Sequence, residues 1–187
     1  MATITHRSAG GPDRFERFVA DLAAARIGRT FNQYAEGSRT PLLCARLHAY
    51  LVLREEAPLL LVGEAPGYRG ARVSGVAFTS ERQLTGAGPA EASATIVHRV
   101  LRELGLEDDV LLWNVVPTHP GTARSNRPPT ADEVHAGLRF VERLAGGRRV
   151  VAVGRLAARA LGCAAVRHPS HGGAAAFRDG LGRAMRA

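Results

Sequence analysis

Hydrophobic positions along this chain follow two rhythms that alternate. One is near-helical. Phe15, Phe18, Val19, Leu22 and Ile27 recur at that spacing over residues 13–27, and Asp13 is placed to cap the segment. Thr40-Pro41 opens a second helix, with Pro at the first helical position, carried to about residue 54 by Leu43, Leu47, Tyr50 and Leu51. Ile96, Val97, Val100, Leu101 and Leu104 form the stripe of a third over residues 89–105, which Gly105 terminates. Thr130-Ala-Asp-Glu133 has the spacing of a capping box and opens a helix over 130–144. Further helices are predicted over 155–161 and 174–186, with a short one from Ser80 to residue 84.

The other rhythm is a set of short, unbroken apolar runs at 59–62, 110–116, 149–153 and 164–167. Such runs are strands buried on both faces. Their alternation with helices predicts an α/β fold: a three-layer α/β/α single domain around a four-stranded parallel sheet, over residues 13–187. Residues 1–12 are polar and aperiodic, and are expected to be a flexible N-terminal leader.

In such a sheet, ligands bind in the crevice outside the carboxyl ends of the strands. Three strand ends here carry polar residues. The first runs into Gly63-Glu-Ala-Pro-Gly67, where Gly63 and Gly67 allow close backbone approach and Glu64 is the one carboxylate. The others are Trp113-Asn-Val-Val-Pro117 and Arg167-His-Pro-Ser170. The three are expected to build one pocket. Residues 67–77, rich in Gly and Arg and without period, are expected to be an ordered binding loop.

Composition narrows the class. A chain of 187 residues with formal net charge +8 favours a polyanionic partner. Every basic residue is Arg, with no Lys, and Ala and Gly abound. Coding bias would produce the same pattern, so charge alone does not decide. Cys44 and Cys163 are too few for a Cys-only metal site or a disulfide scaffold. No apolar run approaches the roughly 18 residues of a membrane span, and the first 14 residues lack a signal-peptide core, so a cytoplasmic protein is expected. Three catalytic fingerprints fail. Gly63 and Gly67 lack the spacing and Lys of a P-loop, Gly86 and Gly88 sit in a turn between helices rather than after the first strand, and no Gly-x-Ser-x-Gly elbow occurs. His168 and His171 with Cys163 make only a weak zinc pattern.

Four stretches in order do carry a resemblance. Gly63-Glu-Ala-Pro-Gly67, Gly75-Val-Ala-Phe78, Asn114 within Trp113-Asn-Val-Val-Pro117, and His168-Pro-Ser170 together resemble the uracil-DNA glycosylase superfamily over about residues 57–180. The first stretch has the form used by the iron–sulfur branch, and Ser125-Asn-Arg-Pro-Pro-Thr130 also looks like the family. The resemblance implies hydrolysis of the N-glycosidic bond of uracil in single- or double-stranded DNA, initiating base-excision repair, with other deaminated bases within reach. A monomer is the default expectation for an enzyme that must embrace a duplex. The four cluster cysteines of that branch are missing, so no metal and no cofactor are expected.

The implied roles match what these side chains can do. An extruded base would stack on Phe78, and the carboxamide of Asn114 would pair with its O4 and N3. His168 would donate to O2 as charge builds there, and Gly63, Ala65 and Gly67 would line the base. The position of the Asp that positions water in the best-known branch is Ala65 here, leaving Glu64 as the candidate. Gly67 stands where that branch has a tyrosine barring the thymine methyl, so an open side is expected. Arg69, Arg72, Ser80, Ser170, His171 and Gly172 would grip the DNA. Two other readings stay open: a catalytically weak member that binds uracil-containing or damaged DNA, and an unrelated α/β enzyme acting on free nucleotides.

Overall fold

Residues 13–186 are described by the computed structural model; the leader expected over 1–12 lies outside them. Four parallel strands form the central layer: β1 (Leu59–Gly63), β2 (Val110–Asn114), β5 (Arg149–Val153) and β6 (Ala165–Val166), in the order β2-β1-β5-β6. A small antiparallel hairpin, β3 (Gly121–Thr122) with β4 (Ser125–Asn126), lies apart from them. The helices are α1 (Arg14–Ala24), α2 (Thr40–Leu53), α3 (Ala71–Ser74), α4 (Glu81–Thr85), α5 (Ala92–Glu103), α6 (Ala131–Ala145), α7 (Arg155–Leu161) and α8 (Ala174–Arg186).

Successive strand residues face opposite sides, and both sides are covered. Leu60, Val62, Leu111, Trp113 and Ala152 pack with Phe18, Leu22, Leu47 and Phe140 from α1, α2 and α6. Phe18 stands edge-on to Trp113 at 5.4 Å and to Phe140 at 5.6 Å. Leu59, Leu61, Leu112, Val151 and Val153 pack on the other side with Val97, Leu101, Phe177 and Leu181 from α5 and α8. Burial on two faces is why the strands read as unbroken apolar runs rather than alternating ones.

The chain passes from β1 to β2 on one side, then crosses to β5 on the other side of β1. That reversal opens a crevice at the carboxyl ends of β1 and β5. Several segments differ from expectation. α1 ends at Ala24 rather than residue 27. β2 ends at Asn114 rather than residue 116, although the N–H groups of Val115 and Val116 still donate to Gly63 O (2.9 Å) and Glu64 O (3.0 Å). α5 starts at Ala92 with Glu91 as its extended N-cap, so residues 89–91 are not helical. The loop over 67–77 contains the turn α3, and the proline-rich stretch after β2 contains the β3–β4 hairpin.

The capping box at Thr130 is present and reaches further than α6. The buried Glu133 carboxylate accepts from the Arg127 guanidinium (2.6 and 2.7 Å) and from the N–H groups of Thr130 (2.9 Å) and Arg29 (3.2 Å). Gly28, with φ of 55°, passes so close that a β-carbon there would meet Glu133 Cγ at 2.5 Å. These donors, Arg127 first, hold the carboxyl down to a pKa of about 2.

Candidate active site

The parallel register puts Gly63 beside Asn114 at the ends of β1 and β2. By alternation, Asn114 shares the sheet face of Leu112, where Phe78 also packs. A β-carbon on Gly63 would lie 2.3 Å from Phe78 Cζ and 2.9 Å from Asn114 Oδ1. The glycine is therefore the floor on which an aromatic edge and a carboxamide meet. Asn114 is 5% exposed, and its carboxamide makes no hydrogen bond with any described residue. A buried amide in that position costs free energy until a ligand pairs with it.

Phe78 is presented by a strained backbone. Its φ is 51°, in the left-handed region that costs a non-glycine residue roughly 1–2 kcal/mol. Two buried hydroxyls fix that segment. Ser74 Oγ donates to Thr79 O (2.6 Å), and Thr79 Oγ1 bonds His98 Nε2 (3.0 Å). Strain held in place by its surroundings is characteristic of ligand sites.

His168 follows β6 and sits against Gly154 at the end of β5. Its Nδ1 accepts from the Ser170 N–H (3.2 Å) and meets Ser170 Oγ (2.7 Å). A backbone amide can only donate, so Nδ1 carries no proton and Nε2 carries it. Burial, and after it the charges of His171 and Arg167, push the pKa of His168 below the ordinary histidine value. The site thus holds a neutral imidazole with an Nε2–H available as donor.

These groups share one cavity of about 790 Å³, lined by Glu64, Ala65, Gly67, Phe78, Asn114 and His168. Gly63 lies beneath it, and Arg69, Ser170 and His171 also border it. Burial raises the pKa of Glu64. The rest of the expected DNA-binding set is placed otherwise. Ser80 is fully buried, its N–H and Oγ both donating to Gln83 Oε1 (2.7 and 2.8 Å), so it is not free for a phosphate. The Ser170 hydroxyl is committed to orienting His168. Arg72 lays its guanidinium over the Phe31 ring at 4.6 Å and stays outside the cavity wall. Gly172 is exposed, next to His171, and both have positive φ.

Several residues of the site were not apparent from the sequence. His119 is fully buried, with Nδ1 at 2.8 Å from Pro66 O and Nε2 at 2.8 Å from Thr122 O, tying the glycine loop to the hairpin. Asn126 Oδ1 accepts from the Tyr68 N–H (2.9 Å), a second tie between the same segments. Arg155 and Arg159, one turn apart on α7, border the cavity and have no carboxylate partner among the described residues. Glu91 closes the side expected to be open. A β-carbon on Gly67 would fall 1.9 Å from Glu91 Oε1, and one on Gly70 would fall 2.0 Å from Oε2. Burial raises the pKa of Glu91 as well.

Metal-type ligands converge at one place among the described residues, Asp13, Glu16 and His48. There Asp13 is already occupied as the exposed cap of α1. Cys44 donates to Tyr34 O (3.4 Å) and forms no disulfide.

A family model described as the uracil DNA glycosylase superfamily matches residues 52–181. Among solved structures, the wild-type SMUG2 of Pedobacter heparinus is similar at a TM-score of 0.66 and 14% identity, covering 92% of this chain and 97% of that one. The wild-type UNG of Nitratifractor salsuginis is also found, at a TM-score of 0.43 and 16% identity, covering 90% of this chain and 94% of that one. No curated protein sequence matches.

Proposed function

Because the chain belongs to the uracil-DNA glycosylase superfamily, we propose that it hydrolyses the bond between N1 of uracil and C1′ of deoxyribose in DNA, the step that initiates base-excision repair. The observation that carries this reading is the meeting of three groups in one cavity: the unpartnered Asn114 carboxamide, the Phe78 ring and the Nε2–H of His168. Each answers a different part of an extruded uracil. The ring supplies a stacking face. The carboxamide offers a donor to O4 and an acceptor to the N3–H at once. The imidazole N–H meets O2, where negative charge grows as the glycosidic bond breaks. A fixed donor at a developing charge stabilises the transition state more than the ground state.

As the bond breaks, its electron pair leaves with the base and the sugar becomes cationic. Water adds to C1′, and its proton passes to Glu64 or to solvent. Glu64 borders the cavity and, with its pKa raised by burial, is a better proton acceptor than an exposed carboxylate. Arg69, Arg155, Arg159 and His171 at the cavity border would hold the backbone on either side of the extruded nucleotide. The expected working unit is a monomer, acting on single- or double-stranded DNA.

The test is incubation with labelled oligonucleotides carrying one uracil, single-stranded or opposite G or A, followed by alkaline cleavage of abasic sites. Cleavage at the uracil position is the expected result, with duplex DNA competing far better than mononucleotide. No product on any of the three substrates would overturn the reading. Ala65 favours a second reading, because it leaves the loop without a carboxylate at that position. A binding protein of weak turnover would hold uracil-containing DNA in a salt-sensitive way and give no such product.

A further inference from the structure

Glu91 is the carboxylate of the cavity that the proposed reaction leaves unused. It enters the wall from the N-terminal end of α5, as the cap residue of a 12-residue helix. Its two oxygens straddle the Gly67–Gly70 turn, each pressed against a glycine that could not carry a β-carbon beside it. The turn itself is closed by the Gly70 N–H donating to Gly67 O (3.0 Å). The carboxyl group makes no hydrogen bond or ion pair with any described residue, although it is half-buried. A desolvated carboxyl group without a partner, in a ligand cavity, is costly unless it serves the ligand.

Resting on the glycosylase reading, the assignment of edges proceeds by elimination. Uracil has four in-plane sides. The N1 side carries the sugar. The C2–O2 side takes the His168 N–H, and the N3–C4–O4 side takes the Asn114 carboxamide. What remains is the C5–C6 side. The geometry points to Glu91 as the residue that meets this side and sets which C5 substituents the pocket accepts.

The chemistry then orders the substrates. A C5 hydrogen fits beside the carboxyl group. A methyl group would push an apolar surface onto the carboxyl oxygens, strip their remaining water and return no hydrogen bond. A hydroxymethyl group is larger still, but its O–H can donate to a carboxyl oxygen, which recovers part of that loss. Thymine is therefore the poorest substrate of the three, and 5-hydroxymethyluracil lies between it and uracil.

Excision kinetics on duplexes carrying uracil, 5-hydroxymethyluracil or thymine opposite guanine test this in the wild-type protein and in Glu91→Ala and Glu91→Gln. In Glu91→Ala the kcat/KM ratio of thymine to uracil should rise at least about tenfold, the discrimination a methyl-sized contact carries. The advantage of 5-hydroxymethyluracil over thymine should collapse to about one. Glu91→Gln keeps the volume and an acceptor oxygen, and should retain both discriminations. If Glu91→Ala fails to fold, Glu91→Asp, one methylene shorter, opens the same side and must show the same rise. A wild-type protein that excises uracil, with base ratios unchanged in the shortened variants, would overturn the role of Glu91 alone. A wild-type protein inactive on uracil would instead overturn the glycosylase reading on which it stands.

Discussion

His168 owes its chemistry to Ser170, two residues along. The serine N–H and hydroxyl both address Nδ1, which fixes the tautomer and aims the remaining N–H into the cavity. Protonating Nδ1 would set an N–H against an N–H donor, and the site already disfavours charge through burial. The sign follows from the account: if catalysis uses the ring as Ser170 holds it, with Nδ1 unprotonated, activity is expected to hold above the His168 pKa and to be lost as pH falls through it. The acid limb of kcat/KM in the free enzyme should have its midpoint below the ordinary histidine value of 6.5. Ser170→Ala removes a bond that favours the neutral form and should move that midpoint upward. An unmoved midpoint would contradict the pairing. At this scale the sequence was partly legible. Asn114 stood out because a carboxamide ending an apolar strand needs a partner from somewhere. Ser80 and Ser170 were read as phosphate contacts although their partners, Gln83 and His168, lie only three and two residues away, because sequence does not show which way a hydroxyl turns. Glu91 stayed hidden because it lay inside a stretch that looked helical throughout, and its partners Gly67 and Gly70 lie two loops upstream.

At the scale of elements, the site depends on loops more than on the sheet. The Phe78 segment is held by Ser74, Thr79 and His98, and the glycine loop is held by His119 and Asn126. None of these ties follows from periodicity: Ser74 closes a local loop onto Thr79, and the others join segments that meet only after folding. Glu133 is the exception. Its capping box was legible from spacing, but its grip on Arg127 and Arg29 was not. Because the folded pKa of about 2 lies below the ordinary value of 4.5, the carboxylate contributes stability above that ordinary value. The contribution fades as pH falls toward 2. The depression corresponds to about 3 kcal/mol. Denaturant unfolding of Glu133→Gln against wild type should show a loss of that order at pH 7, narrowing steadily in acid. A difference independent of pH would show that the carboxylate charge is not what holds these segments.

At the scale of the whole molecule, the fold was largely legible and the reason is plain. Four apolar runs separated by amphipathic helices admit few arrangements other than a covered parallel sheet. The observed order β2-β1-β5-β6 then places the crevice at β1 and β5, which the runs alone do not state. What lay beyond reach was the surface that closes the crevice: the hairpin and the turn α3, in stretches with no period, and the cap of α5, inside a stretch whose period ran past the true start of the helix. Among the described residues no helix is long and apolar enough to cross a membrane. The charge of +8 gains meaning from placement, since Arg69, Arg155 and Arg159 border the cavity without carboxylate partners among the described residues.

The most direct measurement is the single-turnover rate of free uracil release from a uracil-containing duplex, for the wild-type protein and for Asn114→Ala and His168→Ala, each verified as folded. The account predicts release by the wild type and, in the His168 variant, a fall of about 10²–10³, the cost of losing one fixed donor at a developing charge, with a comparable fall when the Asn114 reader is lost. Release at the same rate in all three proteins, or in none of them, would contradict it.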